Sequence, residues 1–164
     1  MVTMPNKPKI DEVIKQLPIA DENPVKTLIS LVQTSHEIYN ELSSKLSRFG
    51  LTQGKFRILL VLFKKNQSLK PSELAKLTGV TRSTMTGLID GLERDGLIRR
   101  GDHEDRRMTT IHLTEAGREL MNRLFPYYVE YSTCLLSELT EKEHEVLTNL
   151  LEKLKKGLEH MKES

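Results

Sequence analysis

Between Pro71 and Leu113 the chain runs through two helical patterns and then two strand patterns, and few folds accommodate that order. A short helical pattern from Pro71 to Leu77 is closed by Thr78-Gly79. Thr81 opens a second helical pattern that runs to about Arg94, with Met85, Leu88, Ile89 and Leu92 on one stripe. Asp95-Gly96 stops that helix. Two short runs follow, Leu97 to Gly101 and Thr109 to Leu113, which read as strands joined by a polar loop. Two helices separated by a tight Thr-Gly-Val-Thr turn make a helix–turn–helix. A hairpin placed directly behind its second helix makes a wing.

The flanks read as helices. Residues 1 to 9 carry two prolines and two lysines and form an arm. Ile10, Val13, Ile14 and Leu17 recur at helical spacing before Pro18. From Val25 to about Phe49, Leu28, Val32, Tyr39, Leu42, Leu46 and Phe49 follow heptad-like steps, ended by Gly50. Residues 53 to 65 are apolar nearly all round, which places that helix in the middle of a core. Ser68 to Lys70 is long enough only for a strand fragment. Thr114 caps a further helix with Leu120, Leu124, Tyr127, Tyr131 and Cys134/Leu135 on one stripe. Pro126 is expected to kink it. Thr140 with Glu143 is a capping box that opens a last helix striped by Leu147, Leu150, Leu154, Leu158 and Met161. The fold expected is mainly α (α+β), a winged helix–turn–helix. Residues 1–24 are an arm with a short helix, 51–114 the lobe, and 25–50 with 115–164 the dimerisation helices.

Composition narrows the function. Lys plus Arg is 25 against 23 acids, a formal charge of +2 over 164 residues. That excludes a chain that coats polyanions by bulk charge but permits one local basic face. The single cysteine, Cys134, cannot close an internal disulfide. No signal peptide or membrane-spanning run is visible, so a cytoplasmic protein is expected. No Walker phosphate loop or Gly-x-Ser-x-Gly is present, and the five histidines are scattered. An enzyme therefore has no motif behind it, and neither cofactor nor metal is expected.

The chemistry sits in the middle unit. From Leu74 to Ile89 there are two cations, Lys76 and Arg82, and no acid. Arg82, Ser83, Thr84, Thr86 and Gly87 lie off the apolar stripe or at its edge. Small hydroxyls at a helix N-terminus bond phosphates and base edges, and arginine takes guanine on two acceptors. The same pattern also suits an exposed cap on a core helix. Gly87 and Gly91 each weaken a helix by about 1 kcal/mol relative to Ala. An outward Gly87 would permit close approach to DNA, whereas Gly91 suits close packing by a neighbouring helix. In the hairpin loop, Arg106 and Arg107 suit a narrow minor groove. The acids Asp102, Glu104 and Asp105 make sense there as holders that aim an arginine fork. A solvated, mixed-charge loop tip would look the same. The competing reading of the whole is a winged-helix protein–protein interaction module, which has no need of cations at both places.

Three stretches, "PSELAKLTGVTRSTMTGLIDGLERDGLIRR" at 71–100, "DHEDRRMTTIHLTEAG" at 102–117 and "GLTQGKFRILLVL" at 50–62, resemble the MarR (multiple antibiotic resistance regulator) family of bacterial transcription regulators. The Asp-x-Arg followed by Leu-Thr-x-x-Gly is the most specific part, and the similarity runs from about Leu28 to Leu158. The resemblance implies a homodimer with interleaved terminal helices that binds double-stranded DNA. Arg82 to Thr86 would line the major groove, Arg107 would be the wing-tip arginine of the minor groove, and Asp105 the acid orienting it. Some relatives bind small aromatic or anionic ligands between the dimer base and the DNA-binding lobe. His36, Tyr39 and Arg57 are the candidates for such a pocket, and would serve equally as ordinary interface residues. Three departures stand out. The arm is longer than the family needs, and Lys70 stands where a Ser or Thr cap is expected before Pro71. Cys134 lies far from the N-terminal helix that carries the reactive cysteine of peroxide-sensing relatives, so a buried, inert thiol is expected.

Overall fold

The computed structural model describes residues 22–101 and 109–163. The arm, its short helix and the loop residues Asp105, Arg106 and Arg107 lie outside the described residues. The elements run α1 (Asn23–Ser47), α2 (Gln53–Lys65), α3 (Pro71–Thr78), α4 (Arg82–Arg94), β1 (Ile98–Gly101), β2 (Thr110–Leu113), α5 (Glu115–Leu135) and α6 (Glu141–Glu163). The described residues are mostly helical with one small antiparallel sheet, as their periodicities predict.

The all-round apolar helix α2 is the centre. Its Phe56, Ile58, Leu59 and Leu62 are buried, and around them pack Leu74 of α3, Met85, Ile89 and Leu92 of α4, Ile98 and Ile111 of the sheet, and Leu120, Met121 and Leu124 of α5. Thr52 caps α2 by accepting the Lys55 N–H at 3.3 Å. Strands β1 and β2 pair from Ile98 opposite Leu113 to Gly101 opposite Thr110. Leu69 adds one bridge to Ile111, with reciprocal N–H···O bonds of 3.1 and 2.8 Å. That single bridge is the strand fragment expected near Ser68.

The hairpin is bolted to α5 by the Leu-Thr-x-x-Gly segment. The Thr114 hydroxyl accepts the Gly117 N–H at 3.0 Å and donates to the Gly96 carbonyl at 2.7 Å, while the Thr114 N–H donates to the Leu97 carbonyl at 3.1 Å. The backbone of Leu97 runs so close to the start of α5 that a Cβ on residue 117 would lie 2.1 Å from the Leu97 oxygen. Only glycine fits there.

The flanking helices are different in kind. Leu28, Val32 and Tyr39 of α1 are more than half exposed in the single chain, and so is Leu158 of α6. Leu147, Leu150, Leu154 and Met161, the rest of the expected α6 stripe, also face solvent.

The expected α5 stripe divides. Gly117, Leu120, Met121 and Leu124 pack into the lobe, and it is Tyr128 that continues this face, its ring 5.0 Å from Phe56. Tyr127 and Tyr131 turn instead toward the end of α1, where Tyr127 meets Phe49 at 5.9 Å and the Lys45 ammonium lies 5.5 Å over the Tyr131 ring. One stripe thus serves two neighbours. α5 stays continuous through Pro126. Cys134 corrects the expectation of a buried thiol: it is exposed in the single chain, because its turn of α5 has passed beyond the core of the lobe.

Candidate nucleic-acid interface

Gly79 makes the turn between α3 and α4. Its φ of +71° lies in the left-handed region, and its N–H returns to the Ala75 carbonyl at 2.9 Å. The chain then re-enters a helix at Thr81, whose hydroxyl accepts the Thr84 N–H at 3.2 Å. The Ser83 and Thr84 hydroxyls lie 3.0 and 2.9 Å from the same oxygen, so three hydroxyls cluster at the start of α4.

Burial of Met85, Ile89 and Leu92 turns the opposite face outward. Arg82, Ser83, Thr84, Thr86 and Gly87 are all exposed, as is Lys76 on α3. The Thr86 hydroxyl donates to the Arg82 carbonyl at 3.2 Å, which leaves its lone pairs and its methyl as what it can offer a base. A Cβ on Gly87 would meet nothing within 4 Å, so no protein neighbour demands a glycine there. Gly91 is the other case. A Cβ would approach the end of the Lys55 side chain to 2.9 Å, a contact with the tip of a flexible side chain of α2 rather than with a closely packed helix backbone.

Beside this face lies a cleft of about 520 Å³, lined by Lys70, Pro71 and Ser72 at the start of α3, Arg82, Met85 and Thr86 of α4, and Thr109 at the entrance to β2. The first turns of two helices and the root of the wing thus open onto one surface, and none of these lining residues is an acid.

The cations of the lobe fall into two groups. Lys55 binds Asp95 at 2.5 Å, tying α2 to the end of α4. Arg100 of β1 binds Asp90 and Glu93 of α4, both at 2.5 Å, and its backbone N–H donates to Glu93 at 3.2 Å. The hydrogen bond to Asp90, with the charge of Glu93, holds its pKa above the ordinary value. This clamp fixes the wing strand against the helix that faces the cleft. By contrast, no ion pair engages Lys70, Lys76 or Arg82 among the described residues. The clamp is not legible in the sequence because its partners, 7 and 10 residues apart, belong to different elements, a helix and a strand, so no periodicity links them. They meet only because the turn at Gly96 folds β1 back along α4.

A sequence model of the MarR family matches residues 51–109, the lobe from the start of α2 to the entrance of β2. The HTH-type transcriptional repressor YetL of Bacillus subtilis (strain 168) is 33% identical over 133 residues, covering 80% of each chain. The chain belongs to the MarR family. As a MarR protein it is a transcription regulator and not an enzyme. Among solved MarR-like structures, the S. aureus MepR–DNA complex superposes with a TM-score of 0.71 at 28% identity, covering 78% of this chain and 93% of that one. The MarR family regulator AbsC of Streptomyces coelicolor gives 0.77 at 26% identity, covering 90% and 100%.

None of the ligand candidates lines a groove between α1 and α5. Arg57 donates to the Thr78 carbonyl at 3.5 Å, the Tyr39 carbonyl accepts from Gln53 at 2.6 Å, and His36 is exposed. The grooves between α1 and α5 are lined instead by Lys45, Phe49, Tyr127, Tyr131 and Cys134. Among the described residues no helix is long and apolar enough to cross a membrane.

Proposed function

We propose that this MarR protein is a cytoplasmic repressor that binds pseudo-palindromic operator DNA as a homodimer. The observation that carries this reading is the cleft between the first turns of α3 and α4 and the root of the wing, whose described lining holds Lys70 and Arg82, no acid, and no ion pair to either cation among the described residues. Arg82, Ser83, Thr84, Thr86 and Gly87 enter the major groove by the N-terminal end of α4, with Lys76 beside them. Arg106 and Arg107 reach into the flanking minor groove, and Asp105 holds the Arg107 fork. The repressor assignment follows the name of YetL.

Dimerisation is supported by the apolar seams of α1 and α6, whose Leu28, Val32, Leu150, Leu154 and Leu158 are exposed in the single chain. Two-fold symmetry then sets the half-sites about 10 bp apart, or a multiple of that. Release by a small aromatic or anionic ligand rests on the family resemblance alone, with His36, Tyr39 and Arg57 as its candidate contacts.

Selection of bound duplexes from random DNA, followed by footprinting, tests the reading. A two-fold site with both halves protected is expected. Protection of a single asymmetric half-site, or a folded monomer in sedimentation at micromolar concentration, refutes it.

A further inference from the structure

Among the described helices, four begin on a threonine whose hydroxyl accepts a backbone N–H three residues on: Thr52, Thr81, Thr114 and Thr140. Helix α3 begins on Lys70 instead. The backbone of Lys70 is extended, φ −72° and ψ 150°, which is the conformation a threonine cap adopts. An ammonium group has three donors and no acceptor, so it caps nothing. The one side-chain bond at this end runs the other way, from the Lys70 N–H to the Glu73 carboxylate at 2.8 Å. A cation is also poorly placed at the positive end of a helix dipole. Lys70 is thus unfavourable for α3 on two counts.

The surroundings give a reason for it. Lys70 lines the cleft that holds Ser72, Arg82, Thr86 and Thr109, and no ion pair engages it among the described residues. Lys55 and Arg100 of the same lobe are both neutralised by acids. A cation of this kind beside Arg82, at a position where it weakens its own helix, is stabilised when a polyanion arrives.

We propose that Lys70 is a phosphate-binding residue of the DNA interface, gripping the backbone that flanks the groove entered by α4. The assignment rests on the placement of α4 argued above. It makes α3 a helix that exchanges a cap for a charge: less stable in the free protein, tighter on DNA.

Lys70→Thr tests this, because its two effects have opposite sign. Threonine restores the cap, and the melting temperature rises by roughly 2–4 °C. Each phosphate contact contributes about 0.9 to the slope of log K against log salt, so a dimer losing two contacts loses about 1.8. The parent-to-variant affinity ratio then shrinks about twelve-fold between 50 and 200 mM salt. The probe is a mixed-sequence duplex of about 30 bp, since a phosphate contact carries no sequence information. Lys70→Gln, which removes the charge without supplying a good cap, should show the same slope change with a smaller rise in melting temperature than Lys70→Thr. A salt slope equal to the parent's in both variants overturns the assignment, whatever the melting temperatures. Arg82→Ala on matched and mismatched duplexes separates the two readings. If it relaxes discrimination while Lys70→Thr keeps the parent slope, Lys70 alone is wrong. If both bind as the parent does, the placement of α4 fails and this assignment with it.

Discussion

Adding one methyl group at Gly117 should damage this protein more than adding it at either glycine of α4. A Cβ at 117 would stand 2.1 Å from the Leu97 carbonyl oxygen, 3.1 Å from its carbon and 2.9 Å from Leu113 Cδ1. An unstrained carbon–oxygen approach is about 3.3 Å, so roughly 1 Å of separation must be found. The obstacle is backbone, and that carbonyl is held by the Thr114 N–H at 3.1 Å while the Thr114 hydroxyl grips the neighbouring Gly96 carbonyl. Overpacking of this kind costs about 1–3 kcal/mol, and each joint hydrogen bond that opens adds about 1 kcal/mol. Helix propensity returns at most about 1 kcal/mol. Gly117→Ala should therefore destabilise by roughly 2–4 kcal/mol, read as a lower urea midpoint at unchanged m-value and fixed protein concentration. Gly87→Ala is the control. Nothing lies within 4 Å of its Cβ, so stability should hold or rise by up to about 1 kcal/mol. DNA affinity should fall in that variant, because the added methyl sits on the face that approaches the groove. A Gly117→Ala protein as stable as the parent would refute the account of the joint.

Three further outcomes are expected. Asp105→Ala should weaken binding as Arg107→Ala does, with the larger loss on A·T-rich flanks, although removing a negative charge predicts tighter binding; a tighter Asp105→Ala complex in a fixed-salt titration would show the acid to be a solvated loop charge. Arg100→Ala should leave stability within about 1 kcal/mol, since its partners are exposed, yet lower DNA affinity by freeing the wing from Asp90 and Glu93; unchanged affinity counts against the clamp. Glu143 accepts the Thr140 N–H and hydroxyl, both at 2.8 Å, and its pKa lies below the ordinary 4.5, chiefly through the backbone bond. A carboxylate with a depressed folded pKa stabilises above its unfolded pKa and stops doing so as pH falls through the folded one. Helicity lost on acidification below about pH 4.5 should therefore be blunted in Glu143→Gln, and an identical acid profile in both proteins would refute the cap.

Local chemistry made much of this protein legible in its sequence. Helix ends are set by residues within one turn of one another, so Thr52, Thr81, Thr114 and the Thr140–Glu143 box could be read directly. Periodicity placed Phe56, Leu59 and Leu62 at the centre and turned Arg82 to Gly87 outward, because burial of one face of a helix leaves the other no choice. What periodicity could not supply was the identity of the neighbour. Tyr127 and Tyr128 are adjacent in sequence, yet one meets Phe49 beyond α1 and the other meets Phe56 in the lobe. The Leu-Thr-x-x-Gly segment pointed to the family, but that its glycine admits the Leu97 backbone is a fact about two segments brought together by the hairpin. The Arg100 clamp and the exposure of Cys134 are of the same kind. Caps and stripes are written over three or four residues by the pitch of a helix. Which carbonyl or carboxylate a distant side chain meets is decided only when the chain packs, since nothing in the local spacing encodes it.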